Sequence, residues 1–412
     1  MAKKRGQGED SKRKERKRGQ GEGSIRKRKD GTREVRLTIG VDPETGKQKQ
    51  ISKYFKTREE ARDWLAEAIH KRATGVFVEP NKITLKQWLN RWLNVYAKQK
   101  VAVTSFDFYE TLIRRQIVPA IGHIELQKLK PIDVQEMYAG KMKNGRLDGG
   151  GGLSAETVRR IHNILHGALK QAVKEGYVNR NIVEAVEPPK VNKEEVTPLA
   201  KEDTDKFLSA VQEDRLYALF VLALTTGLRR GELLSLRWQD VDLNKRTVSV
   251  RYTLARAKQE EGPTKTALIF KEPKTAKSRR TVPLTQVAAQ ALKTHKARQA
   301  QERLFFGQAY QDNGLVFATE DGRPIDPRNF TRRYTRLMKA AGVKHTRFHN
   351  WRHTFATVLL ELGEHPKVVQ EMLGHSKIAT TLDTYSHITP GLMEQAAAKL
   401  DAVYGQKGSP SS

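Results

Sequence analysis

Near the N-terminus Val35, Leu37, Ile39 and Val41 alternate with Arg36, Thr38 and Gly40, the two-residue period of a strand with one buried face. Asp30-Gly31 precedes this run and Asp42-Pro43-Glu44-Thr45-Gly46 follows it, a turn signal on each side. With Ser24 to Arg28 before and Gln48 to Phe55 after, the segment reads as three short antiparallel strands. Thr57 and Glu60 have the spacing of a capping box, and the helix they open carries Ala61, Trp64, Leu65, Ala68 and Ile69 on one face. If the apolar sheet face covers that helix, Arg26, Arg28 and Arg36 are left on the other face.

From Ile83 to Pro189 the period changes to that of helices. Leu85, Trp88, Leu89, Trp92, Leu93 and Tyr96 recur at steps of three and four, and further helices are expected at Tyr109 to Ile117, Ile132 to Lys143 and Thr157 to Glu175. Asn144 to Gly152, with its run of glycines, reads as an exposed loop. Arg114, Arg115, Arg159 and Arg160 are among the cations spaced along these helices. Pro188 to Glu195 is stiff, charged and poor in apolar residues, as linkers are.

Beyond the linker, Leu216 to Leu224 predicts a buried helix stopped at Gly227, and Gly231 to Arg237 a second helix beginning after Arg229. Thr247 to Tyr252 alternates as a strand. Leu268 to Lys271 and Arg280 to Leu284 are expected to pair across a hairpin loop, Glu272 to Arg279, that carries Lys274. Helices follow at Gln286 to Arg303, Asn329 to Ala341, Asn350 to Leu362 and Pro366 to Leu373, the last between a starting proline and a terminating Gly374. A final helix, Pro390 to Tyr404, has Leu392, Ala396, Leu400 and Val403 on one stripe, which suits docking in a groove of its own chain or a neighbour.

At 412 residues the chain exceeds one ordinary core. Its net charge of +29 calls for a polyanionic partner. A membrane surface is the rival polyanion, but no apolar run approaches the roughly 18 residues of a spanning helix, so nucleic acid is the better reading. The absence of cysteine excludes disulfides, thiolate chemistry and cysteine-type zinc sites, and the first residues lack the apolar core of a signal peptide; a cytoplasmic protein is expected. Residues 1 to 29 hold thirteen Lys or Arg against four acidic residues. Such a tail cannot fold alone, and it serves either as an arm on phosphates or as a solubilising tail. The face with Arg26, Arg28 and Arg36 is likewise either solvated or laid in a DNA groove.

Four polar clusters lie after the linker, each at a helix start or loop. They are Thr226-Gly227-Leu228-Arg229-Arg230-Gly231-Glu232, Lys274, His349-Asn350-Trp351-Arg352-His353, and the stretch from His375 to Tyr385. Together they supply two guanidiniums, an ammonium, two imidazoles and a phenol, with no cluster of carboxylates suited to magnesium. That inventory fits metal-free attack on a phosphodiester. Guanidinium forks can clamp the non-bridging oxygens, an imidazole can take the phenol proton, and an ammonium can protonate the departing oxygen. A phosphotyrosine would keep the bond energy, so rejoining needs no ATP and no cofactor.

In this order the four clusters resemble the tyrosine recombinase, or phage-type integrase, family over nearly the whole chain. The resemblance implies that Arg229 and Arg352 clamp the scissile phosphate, Lys274 is the general acid and His349 the proton acceptor. His375 would position phosphate and nucleophile, Tyr385 would be the nucleophile, and Glu232 would brace the first arginine, with His353 in support. Arg26, Arg28, Arg36, Arg114, Arg115, Arg159 and Arg160 are the expected DNA contacts. The chain departs from the usual His-Asp-Leu-Arg-His segment at Asn350 and Trp351, and Lys271 and Lys277 are rivals to Lys274.

The implied architecture is multidomain. A disordered basic tail (1–22) leads into a three-stranded sheet with a helix that binds arm-type DNA (23–75). An all-helical core-binding, SAM-like domain (80–188) and a linker (189–196) come next. A mainly helical catalytic domain with a small antiparallel sheet (197–388) precedes a C-terminal helix docking in trans (389–405) and a short tail. The implied partners are double-stranded DNA with core-type and arm-type sites, three further copies of the chain in a homotetramer, and an accessory DNA-bending or excision factor; the family further implies residence at the bacterial nucleoid. Competing readings are a type IB topoisomerase-like enzyme and a non-catalytic DNA-binding regulator. A zinc pair at His349 and His353 is disfavoured, because the glutamate of the metalloprotease helix motif is replaced by Asn350.

Overall fold

The computed structural model describes residues 23–41, 46–74, 77–192, 198–259, 266–272, 279–385 and 389–404. Contacts divide these into two compact units. One comprises the residues up to Tyr96 together with Leu112–Pro189, the other Ala97–Thr111 together with the residues from Lys190 onward. Among the described residues no helix is long and apolar enough to cross a membrane.

In the first unit β1 (Ser24–Lys27), β2 (Arg33–Val41) and β3 (Gln48–Phe55) form an antiparallel sheet in the order β1-β2-β3. Helix α1 (Arg58–Ala73) starts at Thr57, whose side chain accepts from the Glu60 amide while Glu60 reaches back to the Thr57 amide. Val35 and Leu37 are buried on the sheet and Ala61 and Ala68 on the helix. The alternation expected through Val41 fails partway: the register shifts between Thr38 and Gly40, a β-bulge at Ile39. Val41 is therefore 63% exposed. The Asp42 to Thr45 part of the expected turn lies outside the described residues.

The rest of this unit is helical. Helix α2 (Leu85–Trp92) continues as a π-turn at Leu93–Ala97. A second π-turn, Ile113–Ile117, precedes α5 (Val118–Ile121), and α6 (Pro131–Asn144) and α7 (Ala155–Lys174) complete it. On α7 the residues Val158, Ile161, Leu165, Ala168 and Leu169 are buried at helical spacing. The Trp88 indole N–H, fully buried, donates to the Ala168 carbonyl at 2.9 Å, so this large apolar side chain of α2 also satisfies its polar atom. The loop expected over Asn144 to Gly152 begins one residue later, since Asn144 is still the last residue of α6.

The second unit takes in α3 (Lys98–Lys100) and most of α4 (Val103–Leu112), then continues with α8 (Lys201–Ala210) and α9 (Tyr217–Thr226). Helix α9 is apolar all round, and Ala218 through Ala223 are buried, which makes it the central element; each large side chain buried there contributes about 1.5–3 kcal/mol. Around it stand α11 (Gln286–Phe306), α12 (Pro327–Ala340) and α13 (Asn350–Glu361), with α14 (Pro366–Leu373), α15 (Ile378–Tyr385) and α16 (Thr389–Tyr404) following. Trp351 is 1% exposed. It meets Phe207 edge-on at 5.1 Å and donates its indole N–H to the Tyr334 hydroxyl, so the unusual Trp351 is accommodated by the core.

Two local expectations are corrected here. Helix α10 (Arg230–Leu234) is only five residues long and gives way to a turn of 3₁₀ helix at Trp238–Asp240. The strands at Leu268 and Arg280 do not pair with each other. β7 (Thr266–Lys271) pairs with β6 (Thr253–Lys258), and β8 (Arg280–Pro283) pairs with β5 (Thr247–Val250), beside β4 (Val241–Asp242). The reason is burial: Val248, Val250, Val282 and Leu284 all go into one core, so β8 is drawn to β5, and β6 is left to pair with β7.

Gly227 ends α9 in the left-handed region, φ 62°. A Cβ there would sit 2.4 Å from Phe355 Cδ1 and 2.8 Å from Leu373 Cδ2. Gly227→Ala is expected to destabilise the second unit by about 2 kcal/mol or more, combining backbone strain with overpacking. Denaturant unfolding checks this, and an unchanged midpoint would refute the close packing.

Candidate functional site

The site is built where helices α9 and α14 both end. A helix C-terminus leaves its last carbonyls without intrahelical partners and carries partial negative charge. Here both ends are met by one cation. Arg352, one turn into α13 and 3% exposed, donates to the Gly227 carbonyl at 2.8 Å and to the Leu373 carbonyl at 2.6 Å.

The turn after α14 then places His375. Gly374 adopts φ 66°, its amide donates to the Glu371 carbonyl, and the His375 amide donates back to the Gln370 carbonyl, the Schellman pattern. Gln370 Nε2 returns a bond to the His375 carbonyl at 2.9 Å. The His375 ring shares a 2.9 Å hydrogen bond, Nδ1 to Oγ1, with Thr381, which is buried on α15. The short helix that ends at Tyr385 is therefore tied to this histidine through Thr381, four residues before its end.

Arg229 caps the N-terminus of α10, and its side chain keeps 37% of its surface accessible. Glu232, 6% exposed, accepts from the Arg229 amide at 2.9 Å and from the Arg229 guanidinium at 2.8 Å. Its second cation is Arg280 on β8, whose side chain is 7% exposed and whose two terminal nitrogens lie 3.3 and 2.9 Å from the two carboxylate oxygens. Burial pushes the Glu232 carboxyl up, but the Arg280 hydrogen bonds and the charges of Arg280 and Arg229 outweigh it, and the group is held below the usual carboxylate range.

His349 caps α13, and its ring meets that of His353 edge to face at 4.9 Å. Burial, then the charges of Arg352, Arg229 and Arg230, press His349 below its ordinary pKa, although the residue as a whole keeps much of its surface accessible. His375 is lowered to about 4 by burial and then by Arg352, Arg229, His353 and Arg280. His353 is lowered to about 4 by burial, His349 and Arg352. Among the described residues no group of three or more His, Asp and Glu stands together as a metal site.

Arg229, Glu232, His349, Arg352, His353 and His375 are thus brought to one place. Lys274 and its rival Lys277 lie outside the described residues, as does the side chain of Tyr385; its backbone ends α15. Lys271 ends β7, in the sheet with β6. The expected DNA contacts all lie in the first unit and are exposed. Arg26, Arg36 and Arg28 share one sheet face, where Arg36 Nε donates to Glu34 at 2.9 Å and Arg28 stacks over Tyr54 at 5.0 Å. Arg114 and Arg115 sit on the π-turn, and Arg159 and Arg160 on the outer face of α7. On α16 Leu400 and Val403 are 58% and 70% exposed; the side chains of Leu392 and Ala396 lie outside the described residues.

Arg280 is the residue that sequence reasoning passed over as a site member. A signal was available: in a strand, Arg280 shares a face with Val282 and Leu284, and an arginine on a buried face needs a buried partner.

In DNA-free protein, His353 and His375 should titrate near 4 rather than near 6.5, since burial and then the neighbouring cationic groups disfavour the imidazolium. An anion seated among them favours the charged form, so adding duplex DNA should raise both values. Histidine-detected NMR with His375→Gln for assignment checks this, and a free-protein value near 6.5 would contradict the clustering.

Three family descriptions match the chain: "Phage integrase family" over residues 191–391, "Phage integrase, N-terminal SAM-like domain" over 84–142 and "Arm DNA-binding domain" over 24–72. The chain is 33% identical over 382 residues to a tyrosine recombinase XerC-like protein of Caldanaerobacter subterraneus subsp. tengcongensis, covering 90% of this chain and 96% of that one. It is 26% identical over 384 residues to the ICEBs1 integrase of Bacillus subtilis, covering 90% and 97%. Its fold is like that of the Tn1549 transposon integrase, solved in complex with a circular intermediate DNA, at a TM-score of 0.62 and 24% identity over 76% of this chain and 99% of that one. The chain therefore belongs to the phage integrase family of tyrosine recombinases and is a site-specific recombinase.

Proposed function

We propose that this recombinase cuts and rejoins duplex DNA through a 3′-phosphotyrosyl intermediate, as the integrase and excisionase of a mobile element. The observation that carries the reading is the convergence of Arg229, Arg352, His349 and His375 at the ends of α9 and α14, with α15 leading from His375 to Tyr385. In the reaction the Tyr385 oxygen attacks the scissile phosphorus. Its proton passes to His349, which burial and its cationic neighbours hold neutral and therefore able to accept. Arg229, accessible at the surface, and Arg352, fixed between two helix ends, meet the charge that grows on the non-bridging oxygens. Lys274 gives its proton to the leaving 5′ oxygen. One phosphorus–oxygen bond forms as one breaks, so the reverse step with a second strand's 5′ hydroxyl restores a phosphodiester with no energy supplied.

The protein works as a homotetramer on paired sites, exchanging strands in two rounds through a Holliday junction. The sheet face with Arg26, Arg28 and Arg36 engages arm-type DNA, and the helical region with Arg114, Arg115, Arg159 and Arg160 engages core-type DNA. Helix α16 docks on a neighbouring copy; the exposure of Leu400 and Val403 supports this.

A nicked duplex bearing a site selected by the wild-type chain from a random-sequence pool should trap a covalent adduct. Tyr385→Phe should abolish it, and an undiminished adduct in that variant would refute the nucleophile assignment. Deletion of residues 390 to 412 should remove the steep dependence of cleavage on protein concentration, because Tyr385 would no longer be set by a neighbour; unchanged cooperative cleavage would refute docking in trans.

A further inference from the structure

Arg280 links two parts of the site that are far apart in the chain. It lies 48 residues from Glu232 and 92 from Met372. Its terminal nitrogens engage the Glu232 carboxylate. Its Nε donates to the Met372 carbonyl at 2.5 Å, in the last turn of α14. The guanidinium also packs against Gly374, where a Cβ would come within 3.0 Å of a terminal nitrogen and 3.1 Å of Cδ. One planar group therefore holds the carboxylate that orients Arg229 and the turn that presents His375.

We propose that Arg280 is a positioning residue for strand cleavage, the common anchor that fixes the Arg229–Glu232 pair relative to the Met372–His375 turn. This rests on the reading of Arg229 and His375 as phosphate ligands. With Nε held by the Met372 carbonyl and both terminal nitrogens held by Glu232, Arg280 acts through Glu232 and the turn and not on the DNA itself. The fork geometry is what the task requires. A lysine has one nitrogen, which can meet the carboxylate or the Met372 carbonyl but cannot span both as a rigid plane. The direction of the Glu232 ionisation supports the same picture, since the Arg280 hydrogen bonds are the largest of the influences that offset its burial.

Two features follow from this placement. Loss of Arg280 leaves Glu232 with Arg229 as its ion-pair partner, so the carboxylate swings and Arg229 loses its aim. The same loss releases the α14 end, which shifts His375 and with it the start of α15. Misplacement of a reacting geometry by about 1 Å costs on the order of 100-fold in rate.

The test uses the full chain and the nicked duplex selected above, with single-turnover cleavage and duplex affinity measured separately for Arg280→Met, Arg280→Lys, Glu232→Gln and the Glu232→Gln/Arg280→Met double variant. The expected result is a loss on the order of 100-fold in cleavage for Arg280→Met with affinity within about threefold of wild type, partial recovery in Arg280→Lys, and a double variant no slower than the poorer single one. Wild-type cleavage in Arg280→Met would overturn the inference, as would a double variant whose losses multiply. Should Arg280→Met fail to fold, Arg280→Lys decides: a folded Lys variant cleaving at the wild-type rate overturns the proposal, and one that binds normally but cleaves slowly supports it. If the wild-type chain itself forms no adduct on any selected duplex, the reading beneath the inference falls and takes it down; an adduct that depends on Tyr385 but not on Arg280 overturns the inference alone.

Discussion

Several positive charges are held close together before any anion has arrived, and this constraint governs the catalytic region. Two like charges 4 Å apart repel by roughly 4 kcal/mol in the environment typical of a protein surface. Arg229, Arg280 and Arg352 therefore need counter-charge supplied by the fold. The fold supplies it from two sources: the carboxylate of Glu232, and the carbonyls at the C-terminal ends of α9 and α14. The histidines feel what remains. Burial first, and then the positive potential of the neighbouring cations, disfavours their protonated form, and a phosphate would relieve the second of these.

Such a cluster is weak evidence for stability. Burying an ion costs several kcal/mol, and a buried ion pair often does no better than well-packed apolar residues of the same volume. Its return is geometric. Carbonyls at helix ends cannot rotate away, and a carboxylate gripped from both sides has little freedom, so the guanidiniums they hold are aimed in advance and need no reorganisation when charge develops on a phosphate. The two left-handed glycines are part of the same device. Gly227 and Gly374 let α9 and α14 stop abruptly, with their carbonyls turned inward where Arg352 and Arg280 can reach them.

The first unit solves a different problem. Its sheet must bury one face on α1 and leave the other free, and the bulge at Ile39 ends the strict alternation of β2 after Leu37. On the free face Glu34 is 7% exposed beneath Arg36 and accepts its Nε–H, which holds that arginine upright as Glu232 holds Arg229. In both units a carboxylate three residues or fewer from an arginine does the aiming.

Much of this was legible in the residues. The three-strand pattern, the Thr57–Glu60 capping box, the apolar run of α9, the glycine stops at Gly227 and Gly374 and the order of the four polar clusters are local properties, set by side-chain period, cap chemistry and φ, and these require only a few neighbouring residues. What the sequence could not reveal depends on partners distant in the chain. The pairing of β7 with β6 and of β8 with β5, the exposure of Val41, the two carbonyls that receive Arg352 and the bridging role of Arg280 were decided by tertiary structure. The physical reason is that strand pairing and buried charge are settled by which surfaces meet. A local pattern shows that Arg280 must have a buried partner, but only the packing of β8 against α10 and the end of α14 determines that the partner is Glu232.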